Sequence, residues 1–267
     1  MRLQAEVLNA VANAVVITDP DAHILWANPA FSKLTGYDLN EVRSKNPRFL
    51  KSGRHATEFY AGLWQTIKAG NAWQGELVNR RKDGSLYDEE MTITPVKDEA
   101  GTITHLVAIK RDITSRKRLE ARLQMLANAV ENSSNLIGMS DPPGENGGII
   151  YANRALLQTL QRTMEEVKGH HFTEFISNAN PRELLQNIQS QTLRSGGWQG
   201  ECLVPRKHAV DIPVLLSSSV IKGENGQIIG LLGIAQDISE RKGQRKNSFS
   251  RMRFYRRKRK PPSMEFL

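Results

Sequence analysis

Few residues in this sequence are placed to do chemistry. Asn79 lies in "WQGELVNRRKDGSLY", at a strand position that faces inward; a carboxamide both donates and accepts hydrogen bonds, so a buried one needs a partner. Trp64 lies in "ATEFYAGLWQTIKAG" on an apolar helical face, where an indole either fills a core or lines a ligand pocket. The "GHHF" run at Gly169 invites a metal or haem reading. Adjacent histidines point apart on a helix or a strand, however, and no third ligand is evident, so His170 and His171 read better as surface or loop residues. Cys202 is the single cysteine of the chain, which excludes an intramolecular disulfide and a thiolate cluster. No acid–base constellation of an enzyme is apparent.

The elements that must position these residues are written twice. Trp73 and Trp198 open "WQGELVNRRK" and "WQGECLVPRK", 125 residues apart. At the same spacing Asn28 falls on Asn153, Gly75 on Gly200, Gly101 on Gly226 and Asp112 on Asp237. Self-similarity at domain length means two copies of one fold, since solenoid periods are about 20–50 residues. In each copy two short β-rich runs, "AVVITD" and "HILWAN" in the first, are followed by "PAFSKLTGYDLNEV", which reads as one helix with proline near its start. A second helix carries Phe59, Leu63 and Ile67 at a spacing of four and stops at Gly70. Three strands come next, with "DG" at Asp83 and "DEAG" at Asp98 as hairpin signals. Consecutive hairpins require a largely antiparallel sheet with helices over one face, an α+β fold. The expected domains are 5–115 and 133–240, joined by a helical linker over 116–132. In that linker Leu119, Leu123, Leu126 and Val130 form a heptad-like stripe that either packs back on its own domain or pairs with a second chain; pairing as a homodimer is the preferred reading.

The chain has 267 residues and a hydrophobic share of 39%, enough for real cores. The longest apolar runs, such as "IIGLLGIA", fall well short of the roughly 20 residues of a membrane span. With no convincing signal peptide, the expectation is a cytoplasmic protein. The net charge of +9 comes from "RKGQRKNSFSRMRFYRRKRK" in the segment 241–267, read as a disordered basic tail. Such a tail permits a contact with nucleic acid or anionic lipid, but the rest of the chain offers no other sign of one.

Together, "ANPAFSKLTGY", the W-x-G-E that opens the third strand, "NRRKDGSLY" and the closing "RDIT", with "ANRALLQTL", "WQGE" and "QDISERK" in the second copy, resemble the PAS family over residues 5–242. The resemblance implies two tandem PAS domains, each a five-stranded antiparallel sheet with helices on one face. In the first copy "KNPRFLKSG", "LWQTIKAGNAWQGELVNRRKDGSLY" and "EMTITPV" resemble the flavin-binding branch of that family, found in nitrogen-fixation redox regulators and methane monooxygenase sensors. There FAD, rather than FMN, sits between sheet and helices, and a tryptophan and an asparagine matching Trp64 and Asn79 contact the ring. The chemistry is sensible: an aromatic covers the flat face, and an amide reads an edge of alternating donors and acceptors. Phe31 and Trp73 are further candidates, Glu90 is an inward-or-edge carboxylate that could serve, and Arg48 and Lys51 fit near the pyrophosphate, with Asn46 either on the flavin or holding its loop. Trp73 opens the third strand in both copies, which suits packing the fold better than ligand choice.

The sequence also departs from that branch. Val16 stands where the nitrogen regulators have serine, and Pro47 where they have glutamate, so flavin binding is implied while the same redox relay is not. Light-sensing relatives have cysteine where Pro47 stands, which argues against adduct photochemistry. In the second copy Gln189 replaces Trp64 and Val204 replaces Asn79, so that domain is empty, binds something smaller, or only relays and dimerises. The implied function is the sensory input region of a signalling protein, with redox or oxygen sensed through FAD and passed to a downstream kinase or cyclase output. No kinase or cyclase motif is found in the chain. A ligand-free dimerisation module and, less well supported, a flavoenzyme are the alternatives.

Overall fold

The computed structural model describes residues 2–142, 147–178, 180–207 and 209–242. Most of the basic segment 241–267 therefore lies outside the described residues. Contacts divide the chain into two compact units, 1–124 and 125–267.

The first unit opens with α1 (Arg2–Ala10), β1 (Ala14–Thr18) and β2 (Ile24–Ala27). Next come α2 (Pro29–Thr35), α3 (Leu39–Val42), a 3-10 turn at Pro47–Leu50 and α4 (Thr57–Lys68). Three hairpin strands complete it: β3 (Trp73–Arg80), β4 (Leu86–Lys97) and β5 (Ile103–Asp112). The sheet order is β2-β1-β5-β4-β3, antiparallel throughout. The helix expected over "PAFSKLTGYDLNEV" is two helices. Gly36 adopts φ 77 and its N–H closes on the Ser32 carbonyl at 2.8 Å, a left-handed cap that ends α2. Asp38 then starts α3 with a capping box.

After α5 (Thr114–Glu131) the second unit repeats the order with β6 (Leu136–Ser140), β7 (Ile149–Ala152), α6 (Arg154–Leu160), α7 (Met164–Val167), a 3-10 turn at Phe172–Phe175, α8 (Pro181–Ser195), β8 (Gly197–Arg206), β9 (Ala209–Lys222) and β10 (Ile228–Asp237). Its sheet runs β7-β6-β10-β9-β8. Pro205 sits where the β8–β9 register slips, between Val204 and Arg206, a position that needs no ladder donor.

The motif "AN" before α2 and α6 is a structural node. The Asn28 carboxamide oxygen accepts from Val15 N at 2.9 Å and Phe31 N at 3.1 Å, and its nitrogen donates to the carbonyls of Leu8 and Asn13. Asn153 does the same with Ile137 N, Leu156 N and the carbonyls of Val130 and Asn135. One buried amide thus caps a helix, pins a strand and holds the end of the preceding helix.

The W-x-G pair has an equally structural role. A Cβ on Gly75 would lie 2.6 Å from the Trp73 ring, and one on Gly200 2.5 Å from the Trp198 ring. In both sheets the indole lies across the glycine two residues on, which only a residue without a side chain allows.

Candidate functional site

The inward face of the first sheet carries β1 residues Val16 and Thr18, β3 residues Leu77 and Asn79, β4 residues Met91 and Ile93, and β5 residues Leu106, Ala108 and Lys110. Period-2 alternation puts them on one side, while Ile109 between Ala108 and Lys110 is exposed on the other. Opposite stand Phe31 of α2, the 3-10 turn, and Tyr60, Leu63 and Trp64 of α4. Between these layers lies a cavity of about 560 Å³, within the range of small-molecule and cofactor sites.

One end of this cavity is polar and buried. Lys110 Nζ lies 2.7 Å from Glu89 Oε1, and Asn79 Nδ2 donates to the same oxygen at 2.9 Å. Glu89 is 0% exposed, Lys110 and Asn79 4% each. Glu89 Oε2 and Tyr87 OH are buried close to each other outside the cavity lining, and Tyr60 OH, on the lining, is buried without a partner in the protein. Burial, with Glu89 nearby, pushes the Tyr87 phenol well above its ordinary range. A carboxylate is kept in such a place only beside a cation and donors, and unmatched buried polar atoms mark a place where a ligand's own polar groups complete the set.

Cations also line the cavity: Arg48, Lys51 and Lys68, together with Asp21. Lys51 Nζ sits 3.6 Å from the centre of the Tyr60 ring, and Lys51 pairs by backbone with Asn79 in an isolated bridge. Asn46 spends its side chain locally: its oxygen accepts from Arg48 N at 3.1 Å and its nitrogen donates to the Asp21 carbonyl at 3.2 Å, so it shapes the loop that presents Arg48.

Of the candidates read from the sequence, Phe31, Asn46, Arg48, Trp64 and Asn79 come together on this cavity, and Trp73 and Glu90 do not. The Trp73 ring packs edge-on to Phe59 at 5.8 Å and across Gly75. Glu90 is one residue out of phase: Tyr87, Glu89 and Met91 are buried, and Glu90 points to the opposite face, where it sits across from Glu76 and Arg111. The carboxylate of the site is Glu89, and with Lys110 it was missed. The alternation of Tyr87, Met91 and Ile93 in "LYDEEMTITPV" contains the signal for it.

The second unit rebuilds the frame without this chemistry. At the constant spacing Val204 stands for Asn79, Val214 for Glu89, Ala235 for Lys110 and Gln189 for Trp64, and its cavity measures about 150 Å³. His170 Nδ1 lies 3.0 Å from Glu174 Oε2, with both side chains about half exposed. Among the described residues no cluster of His, Cys, Asp or Glu is arranged to hold a metal ion.

The family model of the PAS domain matches residues 12–115 and again 144–240; the chain belongs to the PAS domain family and carries two such domains. It is 42% identical over 111 residues to the nitrogen fixation regulatory protein of Klebsiella oxytoca, an alignment covering 42% of this chain and 22% of that protein. It is 26% identical over 254 residues to the bacterioopsin transcriptional activator of Halobacterium salinarum, covering 90% of this chain and 33% of the relative. The chain therefore spans a fifth to a third of these curated relatives. Among solved structures, an RNA-binding light-oxygen-voltage receptor aligns with TM-score 0.44 and 30% identity over 48% of this chain and 37% of the other. No helix among the described residues is long and apolar enough to cross a membrane.

Proposed function

We propose that this pair of PAS domains is the sensory input region of a signalling protein that senses redox state or oxygen through one FAD bound in the first domain. The observation that bears most weight is the cavity with an apolar body, the buried Asn79 and Lys110 in its lining, and the cations Arg48, Lys51 and Lys68 around it. A flavin has a counterpart to each: a flat apolar ring, an edge of donors and acceptors, and a phosphate-bearing tail. The unpartnered Tyr60 OH on the lining fits a guest that donates or accepts. The likeness to a nitrogen fixation regulatory protein and to a blue-light-activated histidine kinase supports flavin over other guests. The flavin supplies a two-electron couple when bound.

The chain's own residues do the rest. Trp64 covers the ring, Asn79 and Lys110 donate to its polar edge, and Arg48, Lys51 and Lys68 face the phosphates. Lys110 is shared between Glu89 and the guest, so a change of charge on the guest shifts the balance of that pair. On the far face of β4, Asp88 holds the first turn of α5: its carbonyl accepts from Ile113 N at 2.9 Å, and its N–H donates to Thr114 Oγ1 at 2.9 Å. Lys117 Nζ adds an ion pair to Glu76 at 2.7 Å. Glu89 and Asp88 are neighbours in the chain, so a shift at the pocket reaches the helix in one residue. The α5 stripe of Leu119, Leu123 and Leu126 is more than half exposed, a surface for a second copy and thus for relay to an output partner.

The purified chain should show flavin absorbance in air that bleaches with dithionite and returns with oxygen. A colourless protein that takes up no added FAD would end this reading and leave the domains as ligand-free interaction modules. Leu123→Asp with Leu126→Asp should convert a dimer to monomer in sedimentation, since the pair places charge in an apolar seam; a mutant still dimeric would place the contact elsewhere.

A further inference from the structure

We propose that the second domain docks a second copy of this chain, sheet to sheet, through the face of its β-sheet that points away from its helices. This contact is separate from the flavin reading and from the α5 seam, and each has its own variant to test it.

The first observation is a concerted loss of charge. On the outward side of the first sheet stand Asp88 and Glu90 of β4 and Arg111 of β5, with Glu90 directly across from Arg111. Period-2 alternation turns these positions away from the cavity. At the same three places the second sheet has Pro213, Leu215 and Gln236, with Leu215 across from Gln236. A sheet face left to water reads as polar. A face that a partner covers gives up its charges, because charged residues are depleted at the core of an interface.

The second observation is the face that results. Leu232 of β10 lies between Met139 of β6 and Ser219 of β9, and Ile234 lies between Ile137 and Ser217. Tyr151 of β7 continues the row beside Met139, and Leu203 of β8 lies across from Pro213. Apart from Ile137, these side chains keep part of their surface open to water, 38% in the case of Leu203. Among the described residues of these strands, the charges left on this side are Asp211, at the β8–β9 hairpin, and Glu201, on the edge strand β8. Glu201 is paired with Lys242 at 2.7 Å.

The third observation decides the occupant. Five strands about 4.8 Å apart, paired over about eight residues each, present a face of roughly 650 Å². A stable interface takes about 600–1,000 Å² from each partner. A face without charge in its middle meets its own copy without like-charge repulsion, the condition for a two-fold pair that uses one patch twice. Ser217 and Ser219 are small, and each both donates and accepts, so they suit a second sheet packed about 10 Å away. The basic segment 243–267 is a poor occupant: its cations call for carboxylates, and the middle of this face offers none.

Sedimentation of the full chain tests the contact. The wild type should be a dimer. Pro213→Asp with Leu215→Glu writes the two acids of the first sheet into the second, at positions where this fold already carries them. Like charges would then meet across the seam, and the dimer dissociation constant should rise about a hundredfold, with circular dichroism of the same sample unchanged. Should that variant fold badly, Leu215→Glu with Gln236→Arg replaces it. It copies the balanced pair of Glu90 and Arg111 and still weakens the dimer about tenfold, because those charges must shed water to be covered. A monomeric wild type would overturn the proposal. So would a dimer as tight in the sheet variants as in the wild type, or one lost only through Leu123→Asp with Leu126→Asp.

Discussion

The two domains share a frame and differ in an interior. Both have the same strand order, the same asparagine node before the first helix after β2 or β7, and the same indole laid across a glycine. They diverge at inward positions of the last three strands, where Asn79, Glu89 and Lys110 of the first domain correspond to Val204, Val214 and Ala235 of the second. The frame rests on backbone pairing, caps and edge packing, none of which depends on what fills the middle. Ligand chemistry is therefore free to change while the fold stays.

The strongest way to break the comparison is to write the second interior into the first. Asn79→Val, Glu89→Val and Lys110→Ala together should leave a folded domain that retains no flavin. Visible absorbance and circular dichroism of the same sample decide this; a folded triple variant that stays yellow would show that the polar end does not hold the ring.

A smaller effect separates charge from fold. Lys110→Ala alone removes the cation beside Glu89, a carboxylate at 0% exposure, and breaking a buried pair from one side costs about 3–5 kcal/mol. Glu89→Val with Lys110→Ala removes both charges, and replacing a buried pair by apolar residues is often neutral or stabilising. Urea denaturation of the flavin-free chain should place the double variant near wild type and the single one far below it. If the single variant is as stable as the double, the pair is not buried in solution.

The order of elements was legible because each hairpin and helix stop has a local cause: "DG" and "DEAG" turn the chain, and Gly70 ends α4 at φ 77. The split of "PAFSKLTGYDLNEV" was not, since a glycine inside a helical pattern is either tolerated or a cap, and only the geometry at Gly36 decides. Asn79 was legible as an inward strand residue, and Trp64 as a residue of an apolar helix face that fills a core or lines a pocket. Lys110 was not: lysine is seldom buried, and nothing in "AIKRDIT" sets it apart from Arg111 except its phase with Leu106 and Ala108. Trp73, which opens the third strand in both copies, was legible as a packing residue more than a ligand residue, and the glycine two places on is a further sign that it packs on its own strand.

Asn79→Val probes one member of the polar end. It removes a donor to Glu89 and leaves that carboxylate with Lys110 alone, at a cost of about 1–3 kcal/mol. Flavin affinity and reduction potential should both shift, and less than in the triple variant. A variant with unchanged affinity and potential would detach Asn79 from the ring.

The smallest effect belongs to the residue that the sequence offered in place of Glu89. Glu89 and Glu90 are adjacent carboxylates of one strand, and a one-residue difference in phase sends them to opposite faces. Glu89 lies between the inward residues Tyr87 and Met91, bonded to Lys110 and Asn79. Glu90 lies across from Glu76 and Arg111 on the face that Arg116 and Lys117 reach through their ion pairs with Glu76. On that face an exchange of charge for amide falls within about 0.5 kcal/mol, because water and salt screen whatever it loses. Glu90→Gln should therefore leave stability, flavin content and reduction potential where they are, while Glu89→Gln strands the Lys110 ammonium in the core and disturbs all three. Run side by side, the two isosteric substitutions separate the effect of a buried site charge from that of charge in general. A potential that moves with Glu90→Gln and not with Glu89→Gln would reverse the phase of β4 and move the site to the other face of the sheet.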